Sequence, residues 1–142
     1  MRIADVLSGK GHNVATIGRS ATVSQLLVTL GEHNIGAVVV TERDEVIGIV
    51  SERDVVRRLR ERGGDLLSAT VGEIMTADVL TCSPEDTVDH LAEVMTERRI
   101  RHVPVLRDGE LVGIVSIGDV VKSRISQLET DREQLESYIV RG

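Results

Sequence analysis

The apolar positions along this chain follow two periodicities, and both occur twice. After Thr22 and again after Thr87, apolar residues recur every three or four positions, which is the spacing of one face of an α-helix. Threonine is a favourable N-cap residue. We therefore expect a helix to begin after each threonine and to end near Asn34 or Arg99.

Short runs rich in β-branched residues follow both of these helices. The four runs are residues 37–41, 46–50, 102–106 and 111–115. Residues 42–45 and 107–110, which separate the two runs of each pair, have the charged and turn-forming residues of hairpin loops. We predict an antiparallel hairpin after each helix, and then a last helix with Ser51 or Ser116 at its N-terminal side.

A shift of 65 residues aligns the two halves of the chain without a gap, from Val14 on Val79 to Val56 on Val121. Glycine, serine and aspartate coincide as well as apolar residues, which chance similarity between amphipathic segments does not produce. The chain is therefore a duplicated unit of strand, helix, strand, strand and helix. One unit alone would expose an apolar sheet face, so we predict an α+β fold of two β-α-β-β-α repeats, packed sheet to sheet as a pseudo-twofold pair.

Similar apolar leaders, residues 3–7 and 71–75, precede the two repeats and are expected to form a short helical turn entering each unit. The charged, glycine-rich segment 60–65 is typical of a surface linker. The predicted parts of the chain are a leader helix (1–13), the first repeat (14–60), a linker with the second leader (61–78), the second repeat (79–124) and a C-terminal helical extension (125–142).

The last predicted helix continues into this extension with an apolar stripe at spacings of three, four or seven residues. The stripe, which Arg132 interrupts, consists of Val121, Ile125, Leu128, Leu135 and Ile139. Such a stripe packs either on its own domain or on a second subunit. A tail this long has little domain left to cover, so we favour the second interpretation and expect a homodimer.

Composition narrows the class of protein further. The chain is 41% hydrophobic and 28% charged, and its net charge of −6 opposes broad binding to nucleic acids or anionic membranes. Its longest apolar stretches, such as residues 37–40, are far shorter than the roughly 20 residues of a membrane-spanning helix. With a single cysteine, Cys82, and no secretory signal at the start, we expect a cytoplasmic protein with neither nucleic acid nor membrane as a partner.

The polar residues that recur at equivalent positions, and that could bind a ligand, belong to the motif Gly-Ile-Val-Ser-x-x-Asp. It occurs at 48–54 and at 113–119. A strand ends and a helix begins at the serine, where backbone N–H groups favour an anion such as phosphate. The aspartate one turn later can accept hydrogen bonds from the two hydroxyls of a ribose. A serine and an aspartate at this spacing also form a plain helix cap. The recurrence of the motif after the same strand favours binding.

The two units resemble cystathionine β-synthase (CBS) domains, and the chain resembles a stand-alone CBS pair, or Bateman module. The resemblance rests on 48–54, 113–119 and the string Ile100-Arg101-His102-Val103-Pro104-Val105. It implies a disc with two clefts that commonly bind adenosine-containing ligands, namely AMP, ADP, ATP, NAD or S-adenosylmethionine. The implied function is a non-catalytic regulatory sensor in signal transduction.

The resemblance also implies two sets of nucleotide-binding residues, each drawn from both repeats. The first cleft would use Ser51, Asp54, Val79, Leu80, Thr81, Ile100, Arg101 and His102. The second cleft would use Ser116, Asp119, Val14, Ala15, Thr16, Ile35, Gly36 and Ala37.

The two clefts are expected to differ in affinity. An arginine at the position of Arg101 often meets phosphate in the family, and its counterpart in the other repeat is Gly36. We expect this difference to leave the Asp54 cleft without the equivalent arginine, with Arg53 available to compensate. On this argument the Asp119 cleft is the better mononucleotide site.

The other residue types that could act in catalysis or bind a metal do not form a recognisable site. The four histidines and Cys82 lack the spacing of metal ligands, and no nucleophile with a base is evident. We therefore expect no enzyme activity, no metal and no catalytic cofactor. The alternative function is a protein interaction or dimerisation module whose clefts stay empty.

Overall fold

The computed structural model describes residues 1–141, and its helices and strands occur in the predicted order, except that the first strand of the second repeat is missing. The elements are α1 (Ile3–Lys10), β1 (Thr16–Gly18), α2 (Val23–His33), β2 (Ala37–Glu42), β3 (Glu45–Ser51), α3 (Glu52–Arg62), a 3-10 helix (Gly63–Ser68), α4 (Val71–Ile74), α5 (Val88–Arg98), β4 (His102–Arg107), β5 (Glu110–Ser116) and α6 (Ile117–Arg141). Gly142, the last residue of the predicted extension, lies outside the described residues.

The predicted ends of the two central helices are confirmed. The hydroxyl of Thr22 accepts a hydrogen bond from the Gln25 amide at 3.1 Å, and Thr87 caps α5 through the His90 amide at the same distance. Both helices stop at a residue in the left-handed conformation, Asn34 with φ 51° and Arg99 with φ 54°. A left-handed residue turns the chain out of the helix and into the following strand.

Each central helix leads into the predicted antiparallel hairpin, β2 with β3 and β4 with β5. A turn of only two residues joins the strands of each hairpin. Arg43 and Asp44 have positive φ in the first turn, as do Asp108 and Gly109 in the second. Two consecutive positive φ values match the right-handed twist of the flanking strands, so the hairpins close without a longer loop.

The first strand predicted for the second repeat is wrong, because the structure reduces it to an isolated bridge. In the first repeat β1 pairs in parallel with β2, and the Val39 amide donates to the Ala15 carbonyl at 3.4 Å. The counterpart of Val39 is Pro104, which has no N–H to donate. Only a single bridge between Cys82 and Val105 remains of this strand pair.

The leaders cover the opposite repeat from the one that follows them, which the sequence analysis did not anticipate. The Ile3 amide of α1 donates to the Asp86 carbonyl, and the Val71 amide of α4 donates to the Ala21 carbonyl, each just before a central helix. The apolar residues of α1 join the core of the second repeat, and those of α4 join the core of the first. The chain therefore forms two separate cores, each closed by an exchanged leader.

Two glycines allow the exchanged leaders to approach the sheets closely. A Cβ atom on Gly113 would lie 2.6 Å from Leu7 Cδ2, and a Cβ on Gly48 would lie 2.6 Å from Met75 Sδ. Both distances are shorter than van der Waals contact, so any side chain at these positions would push the leader away. The glycine of the repeated motif is thus a packing residue.

Candidate functional site

The repeated serine and aspartate form the same hydrogen-bonded box at the start of α3 and of α6. Asp54 Oδ2 accepts from the Ser51 amide at 2.9 Å and from the Ser51 hydroxyl at 3.1 Å. Asp119 Oδ2 accepts from the Ser116 amide and hydroxyl at 2.8 and 3.0 Å. Each carboxylate is therefore a helix cap, as the plainer interpretation predicted, and it is also held in a fixed orientation.

A cavity of about 330 Å³ lies beside the Ser51–Asp54 box and draws its walls from both repeats. From the first repeat it takes the start of β2, the end of β3 and the first turns of α3. From the second it takes the end of α5 and the start of β4. Its volume is within the range of small-molecule sites. Its lining comprises Gly36, Ala37, Ile49, Ser51, Glu52, Arg53, Asp54, Arg57, Thr76, Asp78, Val79, Leu80, Arg98, Arg99, Ile100, Arg101 and His102.

The cavity brings together most of the residues predicted for the Asp54 cleft. The predicted residues that line it are Ser51, Arg53, Asp54, Val79, Leu80, Ile100, Arg101 and His102. Gly36 and Ala37, which we had assigned to the Asp119 cleft, line it as well. The predicted residues outside this lining are Val14, Ala15, Thr16, Ile35, Thr81, Ser116 and Asp119.

One inference about the two clefts is wrong. We expected the Asp54 cleft to lack the family's arginine, but Arg101 lines the same cavity as Asp54. The reason is the crossed arrangement of the repeats, in which the base-side strand of one repeat faces the helix start of the other. Gly36 therefore does not remove an arginine from the Asp54 cleft, and the argument that made the Asp119 cleft the better site loses its basis.

The cavity carries an excess of positive charge that the sequence analysis underestimated. Five arginines line it, against three carboxylates. Among residues 1–141, none of these arginines is within 4.0 Å of a carboxylate oxygen. From sequence alone, Arg98 and Arg99, at the end of α5, are cations that could reach a phosphate. Arg57 was missed but detectable in principle, because it stands one helical turn after Arg53 on the same face of α3.

His102 contributes a neutral ring to this site. Burial, followed by the positive charge of Lys10, lowers the pKa of His102 below its ordinary value. The imidazole is therefore uncharged at neutral pH and retains a nitrogen that can accept a hydrogen bond. Its Nε2 lies 3.5 Å from where a Cβ on Gly36 would stand, so Gly36 and the ring are close neighbours in the cavity wall.

Cys82 has the properties of a core residue. It is 9% exposed, and burial, with a smaller effect from Asp86, raises the pKa of its thiol to about 12. At neutral pH the sulfur is therefore a thiol, which is a poor nucleophile.

The second box differs from the first because a lysine occupies it. Lys10, in the last turn of α1, places Nζ 2.5 Å from Asp119 Oδ2 and 2.8 Å from the Ile114 carbonyl oxygen. Burial raises the pKa of Asp119, but hydrogen bonds from Lys10 and Ser116 together outweigh that effect and hold the pKa below its ordinary value. Asp119 is therefore ionised and already paired.

Within residues 1–141, no helix combines the length and the apolar content needed to cross a membrane. The longest, α6, has 25 residues but carries charged side chains throughout.

Comparison with known proteins is consistent with the two repeats seen in the structure. CBSX3, a mitochondrial CBS domain-containing protein of Arabidopsis thaliana, is 35% identical over 99% of this chain and 72% of its own length. The crystal structure of the CBS-domain containing protein ATU1752 from Agrobacterium tumefaciens is 44% identical, with a TM-score of 0.85 over 87% of this chain and 99% of that one.

A further solved structure shows what one related pair binds. The CBS domain pair of protein MJ0100, in complex with 5′-methylthioadenosine and S-adenosyl-L-methionine, has a TM-score of 0.80 and 26% identity, covering 89% of this chain and 98% of that one. The sequence profile of the CBS domain matches residues 4–61 and again residues 71–126. Together with the duplicated fold, these matches show that the chain belongs to the CBS domain family, as a pair of CBS repeats.

Proposed function

We propose that this protein is a non-catalytic sensor that binds an adenosine-containing nucleotide in the Asp54 cleft. The observation that carries the proposal is a single cavity that joins a fixed carboxylate to a group of unpaired arginines. A nucleotide has matching parts, since its ribose offers two hydroxyl donors and its phosphates offer negative charge.

The fixed carboxylate of Asp54 can accept hydrogen bonds from the hydroxyls of a ribose. Asp54 uses Oδ2 for its bonds to Ser51, and Oδ1 has no hydrogen-bond partner among residues 1–141. Oδ1 is thus available to a ribose hydroxyl. The apolar side chains of Val79, Leu80 and Ile100, on the other wall of the cavity, can cover an adenine ring.

Two further observations support a regulatory role. The pair of MJ0100 was solved with two adenosine derivatives, which share the adenosine part and differ in charge. Because the cavity takes its walls from both repeats, a ligand in it contacts both at once. A ligand that binds one relative arrangement of the repeats better than another shifts the population toward that arrangement, which is the requirement for a signal.

We expect ATP, ADP, AMP or NAD to raise the melting temperature of the protein, and Asp54→Asn to weaken binding by about 10- to 100-fold, equivalent to about 1–3 kcal/mol. The loss follows from removing a charged acceptor from the ribose hydroxyls. Isothermal titration calorimetry and thermal shift measure the two effects.

The duplicated fold supplies a matched control. Asp119→Asn makes the same change in an equivalent capping box and also weakens the ion pair with Lys10, so its structural cost is at least as large, yet it lies outside the cavity. Equal losses of affinity in the two variants would show that the Asp54 carboxylate acts only as a cap. No thermal shift with any nucleotide at millimolar concentration would contradict the proposed function.

The tail of α6 supports a second proposed property, homodimerisation. Beyond Arg124, side-chain hydrogen bonds and ion pairs of this helix stay within it among residues 1–141. Its apolar residues are exposed, with Leu128 at 67% and Ile139 at 71%. They fall at the two core positions of a seven-residue repeat, which is the pattern of helices that pair with a second copy of themselves.

Replacing Leu128 with lysine is expected to convert a dimer into a monomer, because it places a charge in the centre of the paired stripe. Size-exclusion chromatography with light scattering, over a range of protein concentrations, measures the mass. The control is Thr130→Lys, which adds the same charge on the opposite face of the helix. A wild-type protein that is monomeric at every concentration, or a dimer that survives Leu128→Lys, would contradict the proposal.

A further inference from the structure

The two capping boxes have the same hydrogen bonds but differ in the group that donates to the backbone carbonyl two residues before the serine. At the first cleft, the Ile49 carbonyl accepts a backbone hydrogen bond from the Thr76 amide at 2.9 Å. At the second, the carbonyl of its counterpart Ile114 accepts from the Lys10 ammonium at 2.8 Å. A side chain thus takes the place that a backbone amide has in the other cleft.

The lengths of the two leader helices explain this difference. After α4 ends at Ile74, the chain is extended and forms the bridge between Thr76 and Ile49, and Asp78 comes to line the cavity. The first leader, α1, continues as a helix to Lys10, so its backbone does not reach the strand. The side chain of Lys10 satisfies the strand carbonyl instead and extends to Asp119.

The ammonium of Lys10 therefore lies against the carboxylate that corresponds to the proposed ribose acceptor. Its distance from Asp119 Oδ2 is 2.5 Å, and the two side chains are 33% and 21% exposed. The ammonium neutralises this carboxylate, so a ribose hydroxyl gains less from bonding to Asp119 than from bonding to the unpaired charge of Asp54. At the first cleft, by contrast, no basic side chain of residues 1–141 lies within 4.0 Å of the Asp54 carboxylate oxygens.

We infer that Lys10 closes the second cleft to nucleotides, so that each chain binds one nucleotide, at Asp54. This inference rests on the proposed function. Lys10 is a specificity-determining residue in this view, because it decides which of two similar carboxylates is available to a ribose. Removing the charge of Lys10 leaves the Asp119 carboxylate without a paired cation, as Asp54 is.

The test is the number of AMP molecules bound per full-length chain, measured by isothermal titration calorimetry. We expect one for the wild type, two for Lys10→Met and one again for the double variant Lys10→Met/Asp119→Asn. Lys10→Arg is the matched control, since it keeps a cation beside Asp119, and it is expected to bind one. Two equivalents in the wild type, or one equivalent in Lys10→Met, would overturn the inference.

The contact between Lys10 and Asp119 is tested separately, without any nucleotide. The chain has only two lysines, Lys10 and the exposed Lys122. We expect Lys10 to react more slowly than Lys122 with an amine-acetylating reagent, as mapped by mass spectrometry, and this protection to be lost in Asp119→Asn. Equal reactivity in the wild type would overturn the role of Lys10. If Lys10 is protected but no variant binds AMP, the proposed function is wrong, and the inferred closure fails with it.

Discussion

Replacing Leu7 with alanine is expected to lower the free energy of unfolding by about 2–5 kcal/mol. Leu7 is 1% exposed and packs against Gly113 in the core of the second repeat. Alanine would remove the side chain that fills this space and leave a cavity. Because natural domains are stable by only about 5–15 kcal/mol, the change removes a large share of the total. Urea denaturation followed by far-UV circular dichroism measures it.

The control for this prediction is Leu67→Ala. Leu67 lies in the 3-10 helix between the repeats and is 46% exposed, so the same change in side chain should cost under about 1 kcal/mol. A loss of less than 1 kcal/mol for Leu7→Ala would show that α1 does not belong to the second core. A large loss would support the exchange of leaders, since Leu7 precedes the first repeat in the sequence.

Local signals predicted the elements of this fold well. Thr22 and Thr87 start their helices, and the turn residues close the hairpins, because each of these features depends on residues within a few positions of one another. The shortened first strand of the second repeat was also detectable from sequence. Pro104 stands where a backbone donor is needed, and the alignment of the two repeats shows it directly.

Features that depend on how the repeats meet were harder to predict. The exchange of leaders leaves no local pattern, because residues 3–7 and 71–75 are apolar enough to cover either repeat. Arg101 and Asp54 line one cavity because of the same crossed arrangement, so Gly36, the counterpart of Arg101, removes no arginine from the Asp54 cleft. The contact of Lys10 with Asp119 joins residues that are 109 positions apart.

The alignment of the repeats also shows that the positive charge belongs to one cleft. Only one of the five arginines that line the Asp54 cavity has a lysine or arginine as its counterpart in the other repeat. In order, Arg53, Arg57, Arg98, Arg99 and Arg101 correspond to Gly118, Lys122, His33, Asn34 and Gly36. A protein with a net charge of −6 thus places five of its 17 lysines and arginines around one cavity, which favours a ligand with several phosphates.

Replacing both Arg53 and Arg101 with alanine is expected to weaken ATP binding by on the order of 100-fold, equivalent to about 2.7 kcal/mol. Hydrogen bonds to charged groups contribute about 1.5–3 kcal/mol each, and exposure of both arginines to solvent reduces that contribution. Adenosine, which has no phosphate, should bind the variant and the wild type equally. Calorimetric titration with each ligand separates the two effects.

The control variant is Arg58→Ala/Arg60→Ala, which removes two arginines that do not line the cavity, from the same helix as Arg53. It changes the net charge by the same amount, so a general electrostatic effect would weaken ATP binding equally in both variants. Raising the salt concentration should weaken ATP binding to the wild type more than to Arg53→Ala/Arg101→Ala, because fewer charges remain to be screened. If adenosine and ATP lose affinity alike, the arginines shape the cavity and do not contact phosphate.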